Sequence, residues 1–480
     1  MEAGAPAPED LLRDVRRAEA AGAEPETLAR LWVRAASAYR RRYWDGGARA
    51  DLDLAVDGYR TALATGTTDL AARANDLAVT LTDRFDVTGR GADLEEAVRT
   101  VRDAMARTAE DSPEWAECAA TLALCLWDRY DATGALDDLD RALHFGGRAL
   151  AVLPRSALGW ARICSNLAML RMDRHERLGE DGDLQESVRL ARAAVDAAHP
   201  DDPELGGWFN NLGNTLLSRF GTQFGDRESP RPGTRVEPGD LDAAIAAYRR
   251  AIEVSPWGFA GRATFLSNLG NALADRAELH LLAGQHGHGE AVLRTAVDTL
   301  AEAVSITAAT APYLASRLNV LGTAQRAVAD LTGAAEDRAA ARDSLRRACT
   351  AGLAIAPEMT VHAADNWMRW AARRSGWEEV GEADGYLVRA VDALRRAQSL
   401  RRHQEAWLTA SRGLAQEAAY ALVRRGRAAE AATRLERGRA VLLGEALDLV
   451  PAALERLPEE VRNRYLEAVR QVDSARRELG

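Results

Sequence analysis

Apolar residues along this chain return with the period of a helix, and that helical pattern itself repeats. Leu77, Leu122, Leu167 and Leu212 stand 45 residues apart. Seven residues after each comes Arg84, Arg129, Arg174 or Arg219, followed directly by Phe85, Tyr130, His175 or Phe220. The pairs Asp93-Leu94, Asp138-Leu139 and Asp183-Leu184 keep the same interval. A fixed period between about 20 and 50 residues marks a stacked-repeat architecture, in which each repeat buries its apolar face only against its neighbours. The pattern predicts an all-α solenoid, a right-handed superhelix of about eight antiparallel helix pairs. In each pair a long first helix ends at a Thr-Gly turn, and a second helix opens on an acidic first turn that suits the helix dipole.

Departures from the period locate the insertions. Leu269 lies 57 residues after Leu212, and Asp240-Leu241 lies 57 after Asp183-Leu184. Twelve extra residues therefore fall between those helices, in the Pro/Gly-rich stretch 221–239, expected to be a flexible loop. A second flexible insertion is expected at 283–289, Ala-Gly-Gln-His-Gly-His-Gly. Residues 1–9 read as a disordered tail, 10–449 as the solenoid and 450–480 as a C-terminal linker helix. The first repeat helix is placed at Glu26 to Tyr43, with Pro25 marking its start, and a last hairpin turns at Arg425-Gly426-Arg427.

Composition narrows the chemistry. All 62 basic residues are arginines, against 72 acidic residues. With no lysine, a Walker A phosphate loop and a lysine Schiff base are both excluded. The net charge of −10 argues against phosphate-driven binding, so no nucleic-acid partner is expected. Cys118, Cys125, Cys164 and Cys349 form no C-x-x-C pair and sit in apolar helical patterns, as buried reduced thiols do. No run of eighteen apolar residues and no export signal is seen, and the chain is expected to be cytoplasmic, with no membrane partner.

The residues Asp240-Leu241-Asp242-Ala243-Ala244-Ile245 through Val254-Ser255-Pro256 resemble the second helix and terminal proline of a tetratricopeptide repeat (TPR). Asn211-Leu212-Gly213 and Asn268-Leu269-Gly270 resemble its first-helix signature. Gly213 and Gly270 are expected to allow close helix approach, with Ala55, Ala97, Ala142, Ser187 and Ala244 as small partners across the hairpin. The period exceeds the usual ~34 residues, which longer first helices explain. Armadillo and HEAT repeats have similar periods but lack the Asn-Leu-Gly signature. Long-period arrays of this type resemble those preceding CHAT domains, a caspase-like peptidase family. The run Leu435-Glu436-Arg437-Gly438-Arg439 through Leu447 resembles the junction into such a domain. That resemblance implies a regulatory, peptide-sensing role beside a CHAT-type peptidase in cis or trans; no catalytic residue carries over.

In arrays of this kind the first helices line a groove that grips extended peptides. The candidate peptide- or protein-binding residues are accordingly Asn166, Asn210, Asn211, Asn214, Asn268, Asn271 and Asn319, whose amides can donate to and accept from a peptide backbone. The competing reading has these amides bonding to each other and to the backbone, fixing the stack. The Asp-Arg-aromatic triplets are assigned mainly to bracing by arginine–carboxylate pairs. His280, His286 and His288 lack zinc-site spacing, and no nucleophile elbow or metallopeptidase motif is present. The expected function is a non-catalytic scaffold or sensor, with no cofactor, no metal and no catalytic residue. An oligomeric assembly module and an enzyme with a pocket in the concave face are the alternatives.

Overall fold

Each stretch carrying a Leu-x6-Arg signature is one helix, and each stretch opening on Asp-Leu is the next, packed antiparallel against it. The computed structural model describes residues 6–44, 48–110, 112–157, 159–224, 238–256, 259, 261–311, 313–397 and 414–436. A lone helix α1 (Pro8–Ala20) comes first, starting two residues before the boundary expected at residue 10. The pairs that follow are α2 (Pro25–Trp44) with α3 (Arg49–Thr65), α4 (Leu70–Thr88) with α5 (Gly91–Met105), and α6 (Pro113–Thr133) with α7 (Leu136–Val152). Next come α8 (Trp160–Leu178) with α9 (Asp181–Ala197), α10 (Leu205–Phe224) with α11 (Gly239–Val254), and α12 (Arg262–Leu282) with α13 (His286–Ser305). The last are α14 (Leu314–Thr332) with α15 (Ala335–Ile355) and α16 (Pro357–Arg373) with α17 (Trp377–Ala397), before α18 (Leu414–Arg424). Among the described residues there is no strand, and no helix is long and apolar enough to cross a membrane.

The chain divides into two compact units, Met1–Ala272 and Leu273–Gly480. In the first, Leu77, Leu81, Leu122, Leu126, Leu139, Trp115 and Trp160 bury into one continuous core. In the second, Leu300, Leu321, Leu345, Trp367, Trp370 and Leu387 do the same. A fully buried side chain of this kind contributes about 1.5–3 kcal/mol, so neighbouring pairs stabilise one another.

The long period has a local cause. Gly89, Gly134, Gly179 and Gly333 all take positive φ (65°, 69°, 73° and 67°) and end a first helix. Each glycine N–H returns to a carbonyl four residues back, as at Gly134 to Tyr130 (2.6 Å), closing the helix as an αL cap does. In three of these turns a threonine just before the glycine accepts from the N–H two residues on: Thr88 from Arg90, Thr133 from Ala135 and Thr332 from Ala334. In the pairs from α2 to α11 the first helices run 19–21 residues, as in α4 and α6, against 15–17 for the second helices. The expected loop at 283–289 is confined to 283–285, because α13 begins at His286; His286 and His288 lie in its first turn. The expected turn at 425–427 is present, with Gly426 at φ 76°. The insertion between α10 and α11 over residues 225–237, and the linker helix expected over 450–480, lie outside the described residues.

The repeated arginines tie the stack together. Arg84 donates through Nε and Nη2 to both oxygens of Asp93 (3.0 and 2.7 Å), and Arg129 and Arg174 do the same to Asp138 and Asp183. Arg219 does so to Asp240 across the inserted loop (2.7 and 2.6 Å), and Arg42 pairs with Asp51. The remaining Nη1 reaches the second helix of the preceding pair: Arg84 to Asp53, Arg129 to Glu95, Arg174 to Asp140 and Arg219 to Gln185. One planar fork thus joins three helices, which lysine's point charge cannot do.

Candidate ligand groove

Within the first unit the first helices lie directly against one another, α4 on α6 and α8 on α10. The asparagines sit along this contact. Asn211 donates to Ser165 Oγ on α8 (3.0 Å). Asn268 on α12 donates to Asn210 Oδ1 (2.8 Å) and Asn214 Oδ1 (3.3 Å) on α10. The Tyr248 hydroxyl, from α11, donates to the same Asn214 oxygen at 2.8 Å. Glycine makes that possible: a Cβ on Gly213 would come within 2.4 Å of the Tyr248 ring. Gly213 therefore receives an aromatic face, where its expected partner was the small Ala244.

These elements frame a pocket of about 670 Å³, a size typical of ligand sites. Met172, His175, Glu176 and Gly179 of α8 and its cap form one wall; Asn214, Leu217 and Ser218 of α10 form another. Gly221 and Thr222 of α10 with Tyr248, Asn268 and Asn271 complete it. The His175 ring is 8% exposed, and its Nδ1 lies 2.9 Å from the Glu180 carbonyl oxygen. A carbonyl only accepts, so Nδ1 is the donor and Nε2 is left to face other groups. Asn271 and Glu176 have no hydrogen-bond partner among the described residues, so the pocket offers an uncommitted amide and carboxylate beside an apolar floor.

The structure separates the seven predicted site residues. Asn214, Asn268 and Asn271 line the pocket. Asn210 and Asn211 hold neighbouring helices and do not line it; Asn166, also outside it, makes no hydrogen bond to a described residue. Asn319 belongs to the second unit, where its Oδ1 accepts from Asn366 Nδ2 at 3.0 Å. Sequence reasoning missed His175, Glu176 and Tyr248. The available signal was His175 itself, which replaces the phenylalanine or tyrosine of the other repeats.

Elsewhere on the first helices, triplet carboxylates are perturbed. Burial, reinforced by Asp86, Asp131 and Asp83, pushes the Asp128 carboxyl up to about 7. Burial raises Asp173 to about 6, opposed by a hydrogen bond from Trp127 Nε1 at 2.6 Å. Burial also raises Asp76 and Asp86. Asp83 alone among the three triplet aspartates has a basic partner, Arg40 at 2.6 Å. Among the described residues no cluster of three or more His, Cys, Asp or Glu is arranged to hold a metal ion.

No family model matches the chain, and no curated protein matches it. Among solved structures it is similar to the human IFIT1 dimer with PPP-AAAA, at 13% identity over 91% of this chain and 87% of that one, with a TM-score of 0.43. A monomeric IFIT1 mutant with Gppp-AAAA is similar at 13% identity, covering 76% of this chain and 71% of that one, TM-score 0.40. BtubC (BKLC) from P. vanneervenii covers 53% of this chain and 90% of that one at 19% identity, TM-score 0.35. The chain is an all-α array of TPR-like helix pairs. The expectation that it has no nucleic-acid partner is corrected: helical-repeat structures among these carry PPP-AAAA and Gppp-AAAA. A net charge of −10 is a sum over 480 residues, and the local sign of a surface depends on which charges remain unpaired.

Proposed function

We propose that this chain is a binding scaffold whose ligand, a segment of protein or peptide, lies across the first helices of the first unit. The observation that supports this is the pocket between α8, α10 and α12, where Asn271 and Glu176 remain uncommitted beside amides already spent on each other. An extended chain presents alternating N–H and C=O groups, which one amide side chain can satisfy together. The roles here divide: Asn210, Asn211 and Asn268 hold the helices, while Asn271, Glu176 and the apolar Met172 and Leu217 meet the ligand. The comparisons lend no support to the narrower association with a CHAT-type peptidase, and this reading does not depend on it.

The test is a peptide array probed with the purified chain. Array hits should bind wild type, lose at least tenfold in affinity to Asn271→Leu, and bind Asn166→Ala normally. Hits indifferent to Asn271→Leu and to Glu176→Gln would remove the pocket from ligand recognition.

A further inference from the structure

The arginine fork that joins successive helices also reaches the lone helix α1. Arg42 pairs with Asp51 on α3 and donates through Nη1 to Glu9 on α1 (2.5 Å). Arg84 does the same to Asp93 on α5 and Asp53 on α3. Helix α1 thus takes the place of a second helix, standing beside α3 as α3 stands beside α5. Arg16 follows Glu9 by seven residues, as Arg60 follows Asp53. Leu54 follows Asp51 by three, as Glu96 follows Asp93. Arg60 and Glu96 close the space between α3 and α5 with two hydrogen bonds (2.7 and 2.6 Å). Arg346 and Glu382 do so between α15 and α17 (2.6 and 3.0 Å). Between α1 and α3 a leucine stands where that glutamate would be. Arg16 accordingly has no hydrogen bond or ion pair with a described residue.

The unbridged space is a cavity of about 230 Å³, with α1 and α3 as its walls and α2 as its floor. Leu12 and Leu54 line the walls, and Trp32 and Tyr39 line the floor. Arg16 and Glu19, three residues apart and so on one side of α1, are exposed at its edge. Glu19, the Trp32 indole N–H and the Tyr39 hydroxyl likewise make no hydrogen bond to a described residue, although Tyr39 is only 4% exposed. Asp57, on the α3 side, is already paired with Arg60 (3.1 Å). The cavity therefore offers an aromatic and aliphatic interior beside an unpaired cation and an unpaired anion, one helical turn apart.

We propose that this cavity binds a free aromatic α-amino acid, its ring against Trp32 and its carboxylate and ammonium on Arg16 and Glu19. A lone carboxylate would gain Arg16 but face Glu19, and a lone ammonium would gain Glu19 but face Arg16. One carbon bearing both charges satisfies the two through charge-assisted hydrogen bonds. A residue inside a peptide carries neither charge, which sets this ligand apart from a protein segment. The ring meets an indole and two leucines, and its burial adds the non-directional share of the binding. Sites for drug-sized ligands span about 300–1,000 Å³; this smaller cavity suits a single aromatic group with a short polar end. The site lies among α1, α2 and α3, and it stands independently of the pocket between α8, α10 and α12.

The experiment is a ligand-observed NMR titration of the full chain with L-phenylalanine, L-tyrosine and L-tryptophan. The tightest binder is then compared with its carboxamide, which lacks the carboxylate, and with its deamino acid, which lacks the ammonium. At least one amino acid should bind saturably. Both analogues should bind at least tenfold more weakly, the loss expected when a charged hydrogen-bond partner is removed. Arg16→Gln and Leu54→Glu should each weaken the amino acid at least tenfold, the latter by giving Arg16 the carboxylate that Arg60 has in Glu96. Leu54 is 44% exposed, so Leu54→Glu should melt no lower than wild type, and lost binding will not reflect lost folding. The proposal is overturned if none of the three amino acids binds saturably, or if binding survives both substitutions. Binding of either analogue within tenfold of the amino acid equally overturns it, because one of the two charges would then play no part in recognition.

Discussion

Substituting Asp128 with asparagine tests the electrostatics of the first-helix face. In the folded chain, burial and the charges of Asp86, Asp131 and Asp83 raise the Asp128 carboxyl to about 7, from an ordinary 3.8. Between those values the folded state binds a proton that the unfolded state has released. Stability from this group is therefore complete below pH 3.8 and is lost as pH rises through 7. A tenfold change in proton affinity corresponds to about 1.4 kcal/mol. Partial solvent screening brings the expected effect to about 2–4 kcal/mol. Asparagine is close in shape and carries no charge, so the difference between variant and wild type isolates the proton. Stacked helix pairs do not unfold as one body, so the measurement should be local. Hydrogen exchange of peptides covering α6 (Pro113–Thr133), read by mass spectrometry, meets that need. Protection of the variant relative to wild type should shift in the variant's favour by about 5- to 250-fold between pH 4.5 and pH 8. Taking the ratio at each pH cancels the intrinsic pH dependence of exchange. A ratio that stays flat over this range would refute the claim that the fold holds Asp128 protonated near neutrality.

Three further outcomes follow from the packing. Arg84 and Asp93 are 8% and 5% exposed. Arg84→Met should therefore destabilise the first unit by about 3 kcal/mol in urea unfolding, by leaving Asp93 buried and unpaired, whereas Glu95→Ala should cost under about 1 kcal/mol. Gly213→Ala sets a methyl against the Tyr248 ring, and the overpacking of about 1–3 kcal/mol outweighs the helix-propensity gain of about 1 kcal/mol. Its melting temperature should fall; an unchanged or higher value would show that the ring has room to move. Burial pushes the thiols of Cys118 up to about 11 and of Cys164 and Cys349 up to about 12, with Cys125 raised as well. A thiol-reactive dye at pH 8 should label none of the four in the native chain and all four in urea; rapid native labelling would place one of them at the surface.

The repeat, the helix pairs, the Thr-Gly caps and the arginine braces were all legible in the linear order of residues. Their partners lie within one repeat or one repeat away, at constant offsets such as Arg84 to Asp93, so periodicity alone reveals them. Even the twelve-residue insertion before Asp240 could be read, because Arg219 and Asp240 keep their roles on either side of it. Trp115 and Trp160, also 45 residues apart, are buried at the same place in successive repeats.

Which polar groups converge, and which are left over, only the tertiary structure decided. Asn214, Tyr248 and Asn268 meet across 54 residues because α10, α11 and α12 pack at one rotation about their axes, which no local pattern specifies. His175 occupies an aromatic position of the repeat, yet the stack makes it a pocket wall. A helix's period is written in local side-chain order, whereas a carboxyl raised by burial or a free amide is a property of the whole surrounding set of contacts.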